Sequence, residues 1–209
     1  LGLHLMVHDN TAPLGTAFTV SVDVLNGATT GISAYDRAAT VRALLAPETR
    51  PEDLGRPGHV FPLRYQEGGV LVRAGQTEAS VDMARLAGLN PSAVICEIMA
   101  DDGRMARMPH LETVAAKHGI KVISVSDIIA YRLEHENLVE RVANARIPTE
   151  YGEFQAVSYR SLVDTDEHIA LVMGVVNDQK AALVRVHSEC LTGDVFESIR
   201  CDCGEQKTL

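Results

Sequence analysis

Apolar and polar positions along the chain alternate in two different rhythms, and the changes of rhythm mark out its elements. Residues 17–23 (Ala-Phe-Thr-Val-Ser-Val-Asp) alternate with period two, as a half-buried strand does, and Asn26-Gly27 follows as a turn. An amphipathic helix runs to Leu45, with Ser33 or Asp36 as its cap and Pro47 beyond its end. Residues 48–69 are rich in Gly, Pro, Asp and Glu and read as a long loop holding one short strand; loops of that length are usually functional or mobile. Strands are predicted at 70–73, 93–96 and 120–125. Helices are predicted at 78–86, stopped by Gly88, and at 111–117, with Gly119 as C-cap. Asp101-Asp102-Gly103 closes the strand at 93–96 as a turn, and Ser126 is expected to cap the next helix. The charged stretch 132–146, ended by Pro148, predicts a helical connector. Beyond it, 154–159, 168–176 and 182–187 alternate as three strands, with Asn177-Asp178 turning between the last two.

Strands and helices therefore interleave, but the early hairpin-like pairing breaks a pure βαβ pattern. The predicted class is α+β, a layered mixed sheet flanked by helices, followed by a β-rich second unit. Three parts are expected: a domain over 1–137, a helical connector over 138–149, and a second domain from 150 to 209.

Composition narrows the function. The 209 residues carry a net charge of −9 with no Trp and only 4% aromatics, and no run of Lys or Arg occurs. A basic face and stacking platforms are what a nucleic-acid partner needs, so that partner is not expected; small phosphorylated substrates are. No apolar run approaches the roughly 20 residues of a membrane span, and no secretory pattern opens the chain, so neither membrane nor export is expected. Four cysteines, one isolated and three crowded near the C-terminus, do not form a disulfide framework and favour a reducing compartment such as the cytoplasm. Leu1-Gly2-Leu3 reads as domain interior, and Gln206-Lys207-Thr208-Leu209 follows the cysteines without a closing element. Both ends are read as cut.

The sharpest chemical signal is Cys190, Cys201 and Cys203. Three thiolates so spaced can fill three corners of a tetrahedral zinc site and leave one for water, although reduced cysteines or half of a structural zinc ribbon fit the spacing too. Around them, Arg185-Val186-His187-Ser188-Glu189-Cys190-Leu191-Thr192-Gly193-Asp194-Val195-Phe196, with Ser198, Arg200-Cys201-Asp202-Cys203-Gly204 and Gln206, resembles the zinc segment of GTP cyclohydrolase II. The resemblance implies that Cys190, Cys201 and Cys203 hold Zn²⁺ and that Arg185, Val186, His187, Ser188, Glu189 and Gln206 contact GTP. It also implies attack of zinc-activated water on the imidazole carbon of guanine, with formate and pyrophosphate leaving. Glu197 replaces a glycine frequent in the family. The family's later nucleotide contacts and acid–base residues would follow Gln206, so the stretch by itself is expected to be inactive in this reaction.

Three earlier segments could carry chemistry. Arg56-Pro57-Gly58-His59 puts a histidine in a Gly/Pro loop, where it could be functional or incidental. Arg73-Ala74-Gly75-Gln76-Thr77 joins a strand to a helix, either as an anion site at the helix start or as a plain turn. Glu97 ends an apolar strand, either exposed at an edge or raised in pKa. Together with Gly15 to Asp23, Thr30-Gly31-Ile32-Ser33-Ala34, Asp36-Arg37, Thr77-Glu78-Ala79, Val81-Asp82, Cys96-Glu97 and Asp102 to Arg107, they resemble 3,4-dihydroxy-2-butanone-4-phosphate synthase over about residues 3–132. The resemblance implies that His59 and Glu97 are essential for rearranging ribulose 5-phosphate with loss of formate. It further implies that Arg73, Ala74, Gly75, Gln76, Thr77 and Glu97 bind that substrate, that Mg²⁺ or Mn²⁺ is required, and that the protein is a homodimer. The order of the two resemblances is that of fused bifunctional proteins of riboflavin biosynthesis. The family's acidic ligand loop is expected ahead of Leu1. Gln76 stands where the family has its metal-binding His, and its carbonyl oxygen suits Mg²⁺ but cannot replace an imidazole, so weakened or lost synthase activity is expected. A working cyclohydrolase on a degenerate synthase, or a non-catalytic zinc module, are the rival expectations.

Overall fold

The computed structural model describes residues 1–176 and 181–203, and the chain divides into two compact units, Leu1–Asn137 and Leu138–Leu209. The first unit holds strands β1 (Val22–Val24) and β2 (Leu54–Val60) and helices α1 (Ala34–Leu45), α2 (Gln76–Leu86), α3 (Met108–His118) and α4 (Val125–His135). The second holds β3 (Val139–Thr149), β4 (Gly152–Ser161) and β5 (Glu167–Val172), an antiparallel sheet in the order β3-β4-β5. The mixed α+β class expected from the sequence is the one observed. No helix among the described residues is long and apolar enough to cross a membrane.

Local signals set most helix ends. Ser33 Oγ accepts the Asp36 N–H at 3.0 Å and caps α1, while Asp36 folds back to accept from the Thr29 N–H and hydroxyl and from the Gly31 N–H. Those bonds, led by the Thr29 N–H, hold the Asp36 carboxyl below its usual range. Gly119, in the left-handed region, ends α3 as expected. The cap of α4 is Ser124 rather than Ser126, because Ser124 and Asp127 satisfy each other's backbone N–H groups in a capping box.

Several expected strands are not formed. Residues 17–20 are bonded to neighbours on both sides, but regular pairing covers only Val22–Val24. Residues 70–73 begin in a 3-10 turn, Gly69–Leu71, because Gly68 and Gly69 lie at positive φ and Asp82 Oδ2 captures the Val70 N–H at 2.9 Å. Residues 93–96 and 120–123 have no ladder partner among the described residues; the turn at Asp101-Asp102-Gly103 does form, closed by a Met99–Met105 bridge. The connector expected as a helix over 138–149 is instead strand β3, paired with β4 from Val139↔Ser161 to Thr149↔Gly152. Two of its charges sit in cross-strand pairs, Glu140–Arg160 at 2.6 Å and Arg146–Glu153 at 3.2 Å, and Pro148 is tolerated because β3 is an edge. The strand expected at 168–176 stops at Val172, 182–187 forms none, and the Asn177-Asp178 turn lies outside the described residues.

The core of the first unit is strongly polar. Val22, Leu54, Val70, Val81 and Ile128 are buried beside Thr40, Glu78, Asp82 and Arg132. Arg132, on α4, donates to Asp82 Oδ2 at 2.7 Å and to the Gly68 carbonyl at 2.8 Å, and forks onto Glu136 with two bonds of 2.9 Å. The Glu136 bonds, with Asp82 behind them, raise the Arg132 pKa against the opposing effect of burial. Glu78, on α2, accepts from the Gln66 N–H at 2.9 Å and from Arg73 at 2.5 Å. Between them the two carboxylates hold the 66–73 segment, Glu78 at Gln66 and Arg73 and Asp82 at Val70.

Replacing Arg132 by Ala would remove the nearest cation from the buried Asp82 carboxylate, leaving it the Val70 N–H and a longer ion pair with Arg85 at 3.6 Å. The expected cost is about 3–5 kcal/mol, read as a lower urea midpoint for the first unit. Glu136→Ala touches only the outer side of the same guanidinium and is expected to cost about 1 kcal/mol or less.

Candidate functional site

His59 lies near the end of β2, where the register with β1 jumps from Asp23↔Gly55 to Val22↔Val60. The jump folds Arg56 to His59 out against a single step of β1, which is how the Gly/Pro loop read from the sequence is built. His59 is half exposed, and its ring Nδ1 lies 2.6 Å from Asp23 Oδ2, while Asp23 Oδ1 accepts the His59 backbone N–H at 2.9 Å. Asp23 is the residue that sequence reading missed. It is 36 positions away, and its signals were its place at the polar end of the alternating run and in the Gly15–Asp23 segment, neither of which pairs it with His59.

The Arg73–Thr77 turn is held rigidly. Arg73 spans from Glu78 Oε2 to the Leu14 carbonyl, at 3.0 Å, and Gly75 forms the N-cap of α2. No side chain caps that helix, so the positive end of α2 opens at Gly75-Gln76-Thr77 beside exposed Ala74. Thr77 is buried, and Gln76 is exposed and donates from Nε2 to Glu97 Oε1 at 2.8 Å. The structure thus joins Gln76 to Glu97, across 21 positions of sequence. Glu97 is exposed, the commoner of the two readings of its position. Among the described residues no hydrogen bond joins His59 to Glu97 or Gln76; His59 pairs with Asp23 instead.

In the second unit, one ligand atom each from Cys190, Cys201 and Cys203 lies within 4.8 Å of the others. Cys190 Sγ and Cys201 Sγ are 3.8 Å apart. Two Zn–S bonds of about 2.3 Å at a tetrahedral angle require about 3.8 Å between sulfurs, so the trio has the span of a zinc site and is too open for a disulfide. Cys190 caps the single π turn Leu191–Val195, its Sγ accepting the Gly193 N–H at 3.4 Å with the Thr192 hydroxyl at the same distance. The Thr192 hydroxyl first, then the Gly193 N–H and Cys203, lower the Cys190 thiol to about 7. Cys203 is pushed up to about 12, chiefly by its bond to Cys190 and by burial. The cluster therefore holds a proton that a metal ion would displace. Cys96, in the first unit, is exposed and takes no part.

Of the residues expected to contact a nucleotide, Arg185, Val186, His187, Ser188 and Glu189 form an exposed run leading into Cys190. Arg185 Nη2 lies 3.1 Å from His187 Nδ1, and His187 Nε2 lies 2.7 Å from Asp194 Oδ2, which also accepts the Cys190 N–H at 2.8 Å. Arg185 and His187 are thereby tied to the thiol turn through Asp194. Gln206 lies outside the described residues.

Comparison with known proteins divides the chain in the same way. Residues 1–131 match the 3,4-dihydroxy-2-butanone 4-phosphate synthase family, and residues 140–208 match GTP cyclohydrolase II. The chain is 57% identical over 211 residues to the bifunctional riboflavin biosynthesis protein RIBA 1, chloroplastic, of Arabidopsis thaliana, covering 100% of this chain and 39% of that protein. Among solved structures, RibBX, a two-domain 3,4-dihydroxy-2-butanone 4-phosphate synthase from A. baumannii, is 49% identical with a TM-score of 0.73, over 82% of this chain and 51% of that one. A 3,4-dihydroxy-2-butanone 4-phosphate synthase in complex with two magnesium ions is 43% identical with a TM-score of 0.57, over 65% of this chain and 68% of that one. The chain spans about half the length, or less, of the curated relatives it matches.

A Cβ at Gly193 would lie 2.5 Å from Cys201 Sγ and 2.6 Å from Cys203 Cβ. Gly193→Ala is therefore expected to spread the thiols and weaken zinc binding by about 10- to 100-fold, measured by competition with a chromophoric chelator.

Proposed function

The chain belongs to the 3,4-dihydroxy-2-butanone 4-phosphate synthase family, and from that membership we propose that the full-length protein is a bifunctional enzyme of riboflavin biosynthesis. Its first activity converts ribulose 5-phosphate to 3,4-dihydroxy-2-butanone 4-phosphate and formate. Its second opens GTP to a diaminopyrimidine, releasing formate and pyrophosphate. The observation that carries this reading is the convergence of Cys190, Cys201 and Cys203 within a segment that matches GTP cyclohydrolase II. We assign the first unit to the synthase and the second to the cyclohydrolase, with the boundary near Leu138. A homodimer in a reducing compartment such as the cytoplasm completes the proposal.

In the synthase site, His59 and Glu97 are the catalytic residues of the proposal. The uncapped start of α2, with Arg73, Ala74, Gly75, Gln76 and Thr77, binds the substrate's phosphate end. Magnesium or manganese, when bound, would polarise the ketose oxygens. In the cyclohydrolase site, zinc on the three thiolates would acidify the attacking water. Arg185, Val186, His187, Ser188, Glu189 and Gln206 hold GTP, and Asp194 keeps His187 turned toward the cysteine turn.

A second reading is favoured by one contact. Gln76 presents its amide N–H to Glu97 at 2.8 Å, a neutral donor where a metal-binding imidazole would carry a lone pair. On that reading the synthase half is weakened and the cyclohydrolase half carries the activity.

Full-length protein is expected to contain about one zinc per chain, one for each Cys trio, and to consume GTP; Cys201→Ser should remove both. Protein that holds zinc but leaves GTP untouched would instead indicate a structural metal module. With Mg²⁺ added, Gln76→His is expected to raise ribulose 5-phosphate turnover at least about tenfold. An unchanged rate would show that the Gln76–Glu97 contact does not limit the site.

A further inference from the structure

We propose that Asp23 is a positioning residue of the synthase site, one that fixes the His59 ring in the tautomer leaving Nε2 free as the base. The inference rests on the reading of His59 as catalytic and extends it to a residue that the reading does not include.

Three features of the geometry support it. First, Asp23 holds His59 at two points, with Oδ1 on its backbone N–H at 2.9 Å and Oδ2 on ring Nδ1 at 2.6 Å. The backbone bond fixes where the residue sits, and the ring bond fixes how the imidazole turns. Second, the carboxylate is the inner partner, 19% exposed against 41% for the histidine, so the ring's far nitrogen faces outward. Third, the wall over the pair is built to fit it. Gly31 sits at φ +88°, and a Cβ there would collide with Asp23 Oδ2 and come within 2.6 Å of His59 Nδ1. The Gly31 N–H is in turn held at 3.1 Å by Asp36, which also binds the Thr29 N–H and hydroxyl. On the other side the Gly58 N–H donates to Ser21 Oγ at 3.1 Å, tying the residue before His59 to β1.

The chemistry follows from what a carboxylate can accept. Ionised Asp23 only accepts hydrogen bonds, so the neutral ring must carry its proton on Nδ1, and the Nε2 lone pair is left for substrate. When Nε2 takes one proton from the bound ketose, the electron pair stays on the sugar as an enediolate. The new positive charge on the ring then lies against Asp23, and the same proton returns from Nε2 to the sugar later in the reaction. A ring without the carboxylate could turn, or hold its proton on Nε2, and would then present a donor where a base is needed.

Asp23→Asn tests the proposal. The replacement keeps an oxygen for the His59 N–H but offers an amide donor to Nδ1, which drives the ring proton to Nε2. Full-length protein carrying ¹⁵N-labelled histidine, with the His59 signal assigned by its loss in His59→Gln, should show a Nδ1–H tautomer in the parent and Nε2–H in Asp23→Asn. In the Gln76→His background, kcat for ribulose 5-phosphate should fall about 10³- to 10⁴-fold, with KM changed by less than about threefold. Asp23→Glu, which restores a carboxylate, should recover part of the loss. An unchanged tautomer, or a kcat within about threefold of the parent, overturns the role of Asp23. Undiminished turnover in His59→Gln would overturn the reading of His59 itself, a result separable from the tautomer measurement.

Discussion

The first unit depends on one buried cation. Arg132 reaches from α4 into the core and is met there by Asp82 of α2, the Gly68 carbonyl and Glu136. A guanidinium taken out of water recovers its hydration only through bonds of this number and geometry, so the elements supplying them cannot drift independently. Asp82 transmits the constraint, because the oxygen that binds Arg132 also takes the Val70 N–H and forces the Gly69–Leu71 turn. One turn earlier on α2, Glu78 repeats the device with Arg73 and Gln66. The segment leading into α2 is thus tied back to that helix twice, at Val70 by Asp82 and at Arg73 by Glu78. Pairs of this kind add little net stability over an apolar core but specify one arrangement, which the proposed role of the turn requires.

What could be read from the sequence was what short-range chemistry decides. Ser33 before an amphipathic run, Gly119 after one, and Cys190, Cys201 and Cys203 at close spacing each announce their role within one short stretch of chain. The features that escaped are made by partners far apart. Residues 70–73 have the apolar, β-branched character of a strand, but Gly68 and Gly69 at positive φ and the carboxylate of Asp82, twelve positions on, divert the Val70 amide from a ladder. The stretch at 139–149 was hidden differently: as an edge strand exposed along its whole length, it carries charges where a half-buried strand would show alternation. Its pairing is visible only against β4. The Asp23–His59 pair could not be found by any local rule, since a register jump brings the two together.

The two candidate sites use their backbones in opposite ways. In the first unit the candidate side chains are anchored by bonds to residues far away in sequence, so the site is a product of the tertiary fold. In the second, the thiols are organised within one short segment by the Leu191–Val195 turn, with Asp194 binding both the Cys190 N–H and His187. A metal centre built this way carries much of its own geometry in its sequence, which is why it was the easier of the two to recognise.

The Asp36 cluster has a consequence for how the protein meets acid. Because its bonds to Thr29, Ser33 and Gly31 lower the folded-state pKa of this carboxyl below 3.8, the cluster is at full strength above that value and weakens as pH falls through the lowered one. The part of the fold coupled to that protonation is the Thr29–Gly31 bend, which lies over Asp23 and His59.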